Sequence, residues 1–162
     1  MKNTESLKVT TPTDREIVMS RVFDAPRALV FEAYTKPELL KCWLGVFGGW
    51  SLAVCEIDLR VGGSYRYVWR GPGGAEMGMG GVFREIAAPE RLVTTEKFDE
   101  PWYEGEAQGT VEFVERDGQT TLTMTMRYSS KAVRDAVLQS PMKEGVGQGF
   151  DQLAEVLSSL RA

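Results

Sequence analysis

The sequence contains no histidine. That absence removes Ser-His-Asp and Cys-His nucleophilic catalysis together with the commonest zinc ligand sets. Acid–base chemistry would have to use Asp, Glu, Tyr, Lys or Cys at a shifted pKa. Cysteine is nearly as scarce. Cys42 and Cys55 are the two present, and their spacing matches no metal or redox motif, so reduced thiols in a cytoplasmic protein are expected. No metal, no cofactor and no catalytic constellation is expected. No stretch approaches the ~20 apolar residues of a membrane span. The opening MKNTESLKVTTPTDRE lacks the apolar segment of a signal peptide. Lys and Arg number 19 against 23 Asp and Glu, for a net charge of −4, and the basic residues form no run. Nucleic acid and membrane insertion are therefore not expected.

What is present, 162 residues, is enough for one domain with a core and a pocket. Residues 1–14 are polar and aperiodic and are expected to form a flexible tail before a single domain over 15–162. Arg15–Phe23 is β-branched and aromatic enough for a first strand. Asp24-Ala25-Pro26 follows, with Asp24 as N-cap and Pro26 in the first turn of a helix over 26–34. Thr35 and Glu38 have capping-box spacing ahead of a second short helix, Pro37–Leu44, which ends at Gly45. Strands are then expected at Ser51–Ile57, Tyr65–Arg70, Met77–Ile86, Leu92–Phe98, Gly109–Glu115 and Thr120–Tyr128. The last two flank Asp117-Gly118, a hairpin turn signal.

After Ser140-Pro141, apolar residues recur at Val146, Phe150, Leu153, Val156/Leu157 and Leu160, the stripe of an amphipathic helix. Gly145, Gly147 and Gly149 interrupt its beginning. Either the helix starts near Gln148 after an irregular lead-in, the preferred reading, or its first turn is loosened and gates a pocket. The expected class is α+β: a curved antiparallel sheet of about seven strands gripping a long C-terminal helix, with two short helices after the first strand.

The opening Phe23–Trp43, with its FDAP and TKPELL segments, resembles the START-like helix-grip superfamily (SRPBCC). Within it the chain is similar to the branch named for the activator of the heat-shock protein 90 ATPase. Asp58-Leu59-Arg60-Val61-Gly62-Gly63, Gly81-Val82-Phe83-Arg84-Glu85-Ile86, Pro89-Glu90-Arg91-Leu92-Val93 and Gly149-Phe150-x-x-Leu153 carry the likeness over roughly residues 15–160. The resemblance implies a ligand pocket between sheet and helix, and a possible heat-shock chaperone partner with a part in stress response. Two departures stand out. The terminal helix carries Gly149-Phe150 where the family usually has Gly-Trp. The N-terminal domain that does much of the activating in the eukaryotic co-chaperone is not matched by the fourteen polar residues here.

Residues 60–85, RVGGSYRYVWRGPGGAEMGMGGVFRE, hold eight glycines. A dinucleotide fingerprint from Gly71 would put its third glycine on Glu76, and one from Gly78 would put it on Phe83. The sequence has no Gly-Lys for a P-loop, and a strand rather than a helix follows. These glycines are therefore expected to turn and bend the sheet.

The candidate pocket lining is Trp43, Tyr67, Trp69, Met79, Phe83, Glu96, Phe98, Trp102, Met124, Phe150 and Leu153. Tyr65, Tyr67 and Trp69 share one strand face. Met77, Met79, Met124 and Met126 add adaptable surface. Leu92, Thr94, Glu96 and Phe98 share another face, so Glu96 is a pocket acid unless the strand turns Val93, Thr95 and Lys97 inward. Glu56, Glu112 and Arg70 are further polar candidates, while Arg66, Arg70 and Arg84 suit the outer face. The expected function is binding of a small hydrophobic molecule (a lipid, polyketide or aromatic ligand) by a monomer or homodimer. The alternatives are a lyase, cyclase or hydrolase using Glu96 and a tyrosine, and a chaperone-interacting module.

Overall fold

The computed structural model describes residues 7–46 and 48–161. Eight antiparallel strands form one sheet: β1 (Lys8–Thr10), β2 (Glu16–Phe23), β3 (Ser51–Ile57), β4 (Ser64–Arg70), β5 (Glu76–Ala87), β6 (Arg91–Phe98), β7 (Ala107–Arg116) and β8 (Gln119–Arg127). Their spatial order is β1-β2-β8-β7-β6-β5-β4-β3. Helices α1 (Arg27–Thr35) and α2 (Pro37–Leu40) follow β2, and α3 (Lys131–Gln139) and α4 (Met142–Arg161) close the chain. The α+β class, the curved sheet and the long terminal helix are as expected.

Four local expectations are corrected. Residues 8–10, assigned to the tail, pair with Val18–Ser20 as strand β1; residues 1–6 lie outside those described. Asp24 does not cap α1, whose N-cap position is Pro26. The Thr35–Glu38 capping box is absent, because Thr35 ends α1 with a buried side chain and its hydroxyl donates to the Phe31 carbonyl at 2.8 Å. Helix α4 begins at Met142, not near Gln148, with all three glycines inside it. Ser140 accepts the Met142 N–H at 3.3 Å, and Val146 is packed into the core. A satisfied N–H and a partly buried apolar side chain packed against the core offset a glycine cost of about 1 kcal/mol each.

Alternation decides what the sheet covers. In β2 the buried residues are Ile17, Met19, Arg21 and Phe23, every second position. Arg21 reaches α4, where its Nη1 meets Asp151 at 2.8 Å. Phe150, Leu153 and Leu157 of α4 are buried against the same sheet face, each stabilising by roughly 1.5–3 kcal/mol. Phe150 packs edge-on to Phe23, ring centroids 5.7 Å apart. A second cluster (Ile17, Ala107, Tyr128, Val133 and Val137 among its members) lies under α3.

The glycines in 60–85 serve the sheet, as the failed phosphate-loop spacing implies. At Gly81 a Cβ would run into the carbonyl oxygen of Thr95 on the adjacent β6. That close approach lets the Val82 N–H reach the Thr95 hydroxyl at 2.9 Å. The register then shifts between Phe83 and Glu85, a bulge in the strand, which adds twist. Asp117 and Gly118 take φ of +54° and +77° in the β7–β8 turn, as a tight hairpin requires.

Candidate functional site

Sheet curvature and the start of α4 leave a cavity of about 260 Å³ between them. Each wall comes from one strand period. Tyr65, Tyr67 and Trp69 of β4 form one side, and Met79 and Phe83 of β5 continue it. Leu92, Thr94, Glu96 and Phe98 of β6 face inward together, so the inward reading of that strand holds. Val111 of β7 and Met124 and Met126 of β8 follow, while Met142 and Val146 of α4 form the roof. An adjoining opening of about 370 Å³ shares Tyr34, Trp69, Met124, Met142 and Val146 with the cavity, and adds Trp43, Trp50 and Phe150. A shallower outer depression, about 840 Å³, is lined by Trp50, Arg66, Met77, Asp99, Trp102 and Met142 among others. Met142 borders all three spaces.

Several walls are held rigidly. Trp69 donates its indole N–H to the Leu44 carbonyl at 2.9 Å, and Trp43 does the same to Ala33 at 2.9 Å. Tyr65 donates to the Thr95 carbonyl. Rings pack on one another along β4, with Tyr65–Tyr67 centroids at 5.0 Å and Tyr67–Trp69 at 5.8 Å. The methionines are the compliant part of the lining.

Glu96 carries the polar chemistry. Its Oε2 accepts a hydrogen bond from the Tyr103 hydroxyl at 2.8 Å. Burial raises its pKa, and the Tyr103 bond partly offsets the rise. Burial also raises the pKa of Tyr34, Tyr65, Tyr67, Tyr103 and Tyr128, and the Glu96 charge raises each further. These phenols stay protonated at neutral pH, so they serve as hydrogen-bond donors and not as bases. The cavity thus combines apolar walls, phenolic donors and one carboxyl that gives up its proton reluctantly.

Of the expected lining residues, Tyr67, Trp69, Met79, Phe83, Glu96, Phe98, Trp102 and Met124 surround the cavity. Trp43 and Phe150 line the opening beside it. Leu153 faces neither space; it lies one turn deeper along α4 and is fully buried in the core. Met77, 42% exposed, lines the opening and the outer depression but not the cavity. The other polar candidates do not enter the cavity: Arg70 pairs with Glu76 at 2.7 Å, Glu112 with Arg91 at 3.0 Å, and Glu56 is exposed. Arg66 and Arg84 are exposed, as expected of the outer face. Sequence reasoning missed Tyr34, Tyr103, Tyr128 and Met142. Tyr128 could have been found, because it extends the Met124–Met126 alternation by one step; Tyr103 sits in an aperiodic loop with no such signal.

Among the described residues no group of three or more His, Cys, Asp or Glu is arranged to hold a metal ion. No helix there is long and apolar enough to cross a membrane.

Solved structures share this architecture. A crystal structure of a protein from Rhodobacter sphaeroides is 29% identical and covers 96% of this chain and 99% of its own, with a TM-score of 0.91. A crystal structure of a protein from Nitrosomonas europaea is 27% identical over 93% of this chain and 99% of its own, with a TM-score of 0.81. CalU16 from Micromonospora echinospora, 20% identical over 94% of this chain and 84% of its own, shares the fold at a TM-score of 0.63. No functionally curated protein matches. The family model described as Activator of Hsp90 ATPase homolog 1-like protein matches residues 24–158, most of the length, and the chain belongs to that family.

Proposed function

We propose that this protein binds a small hydrophobic molecule in the cavity between the sheet and α4. The observation that carries the reading is a 260 Å³ space with aromatic and thioether walls, reached through a wider apolar opening. Such a space is the usual form of a small-molecule site. A ligand hiding roughly 200 Å² of apolar surface would gain about 5 kcal/mol before ordering costs. Rigid tryptophan and tyrosine walls keep those costs low on the protein side.

The test is thermal unfolding with a panel of fatty acids, polyketides and flavonoid-like aromatics. Members that fit are expected to raise the melting temperature with increasing concentration. A flat response across the whole panel overturns the reading.

The hydrogen-bonded Glu96–Tyr103 pair is what favours a lyase or hydrolase reading. That reading predicts that Glu96→Gln abolishes turnover without unfolding the protein. The family's description favours a chaperone-interacting role. That role predicts co-purification with a heat-shock chaperone and a changed ATPase rate.

A further inference from the structure

The cavity holds one carboxyl and no counter-charge. Glu96 is the one carboxyl-bearing residue of its lining, and no Lys or Arg lines it. Several acids elsewhere have cationic partners at short range: Arg66–Asp99, Arg70–Glu76 at 2.7 Å and Arg91–Glu112 at 3.0 Å. Glu96 has only the neutral Tyr103 hydroxyl on Oε2. Among the described residues nothing donates to its Oε1. Glu96 is half-buried; a partly desolvated carboxylate without a cation is unfavourable, and a partner of opposite charge would offset that penalty.

The surroundings suit a cation. Tyr34, Tyr65, Tyr67, Trp69 and Tyr128 line the same cavity. Aromatic faces attract ammonium groups most strongly when water is excluded. The walls farther from Glu96 are hydrocarbon and thioether, suited to an apolar body of loosely defined shape.

We infer that the cavity selects a hydrophobic amine, an apolar or aromatic body whose single ammonium group sits at Glu96 among the tyrosine rings. The inference rests on the ligand-binding reading above and narrows it. A neutral alcohol of the same shape can accept or donate a hydrogen bond but leaves the charge uncompensated. A carboxylic acid of that shape places a second anion beside the first. Charge therefore ranks the three, while the carbon skeleton contributes equally to all.

Calorimetric titration with 4-phenylbutylamine, 4-phenylbutan-1-ol and 4-phenylbutyrate at neutral pH separates these cases. The amine is expected to bind at least about tenfold more tightly than the alcohol, and the carboxylate weakest of all. In Glu96→Gln the amine and the alcohol should fall within about threefold of each other, with the alcohol affinity retained as proof of an intact cavity. An alcohol that binds the native protein as tightly as the amine overturns the inference, as does an amine preference that survives Glu96→Gln. In either case the cavity reading stands, because ligands still bind. Binding of none of the three overturns both.

Discussion

Glu96 occupies a position where sequence alternation and solvation pull in opposite directions. Its strand neighbours Leu92, Thr94 and Phe98 belong inside, and period two carries the carboxyl in with them. Burial then raises its pKa above 4.5. The folded protein therefore holds the proton more tightly than the unfolded chain, and the sign follows. The contribution of Glu96 to stability is fully present below pH 4.5 and is lost as pH rises through the folded-state pKa. Glu96→Gln lacks this loss. The variant is expected to gain in stability relative to the native protein as pH rises from acidic to neutral. Melting curves of both proteins across that range provide the measurement. A constant difference at every pH would show that Glu96 does not titrate between the two states.

At the scale of elements, α4 shows how a helix tolerates poor formers when its ends and one face are secured. Gly147 lies inside it, and a Cβ there would meet nothing closer than Leu7 at 3.9 Å. Gly147→Ala should therefore raise stability by about 0.5–1 kcal/mol, seen in chemical denaturation. If these turns move to admit ligand, the same change should slow ligand association in stopped-flow experiments. The beginning of α4 was legible in Ser140-Pro141, but the three glycines argued against it, since their local cost is visible in sequence and the packing of the half-buried Met142 and Val146 is not. The hairpin at Asp117-Gly118 was plain for the opposite reason, because a two-residue turn with positive φ depends on those residues alone. Helix α3 was not anticipated, although Ser130 accepts the Val133 N–H at 3.2 Å and KAVRDAVLQ is nine residues long. Strand β1, three residues long, is too short to show alternation.

For the molecule as a whole, the strand order and the terminal helix could be read because each rests on period and turn chemistry. The cavity could not be sized in the same way. It is the difference between the space a curved sheet encloses and the volume of the side chains that fill it, and no pattern along the chain reports that difference. It predicts an exchange between stability and binding. Thr94→Phe places a ring in the cavity and should raise or preserve the melting temperature of the free protein while abolishing ligand-induced shifts. A variant that still responds to ligands would place the binding site elsewhere. The lining also has a chemical consequence. Five thioether sulfurs, those of Met19, Met79, Met124, Met126 and Met142, border this one space. Oxidation to sulfoxide would turn each from a soft apolar contact into a polar, chiral one. Peroxide would thus rewrite the wall without touching the fold's turns or caps, and an occupant of the cavity would act as a shield for the sulfurs it covers.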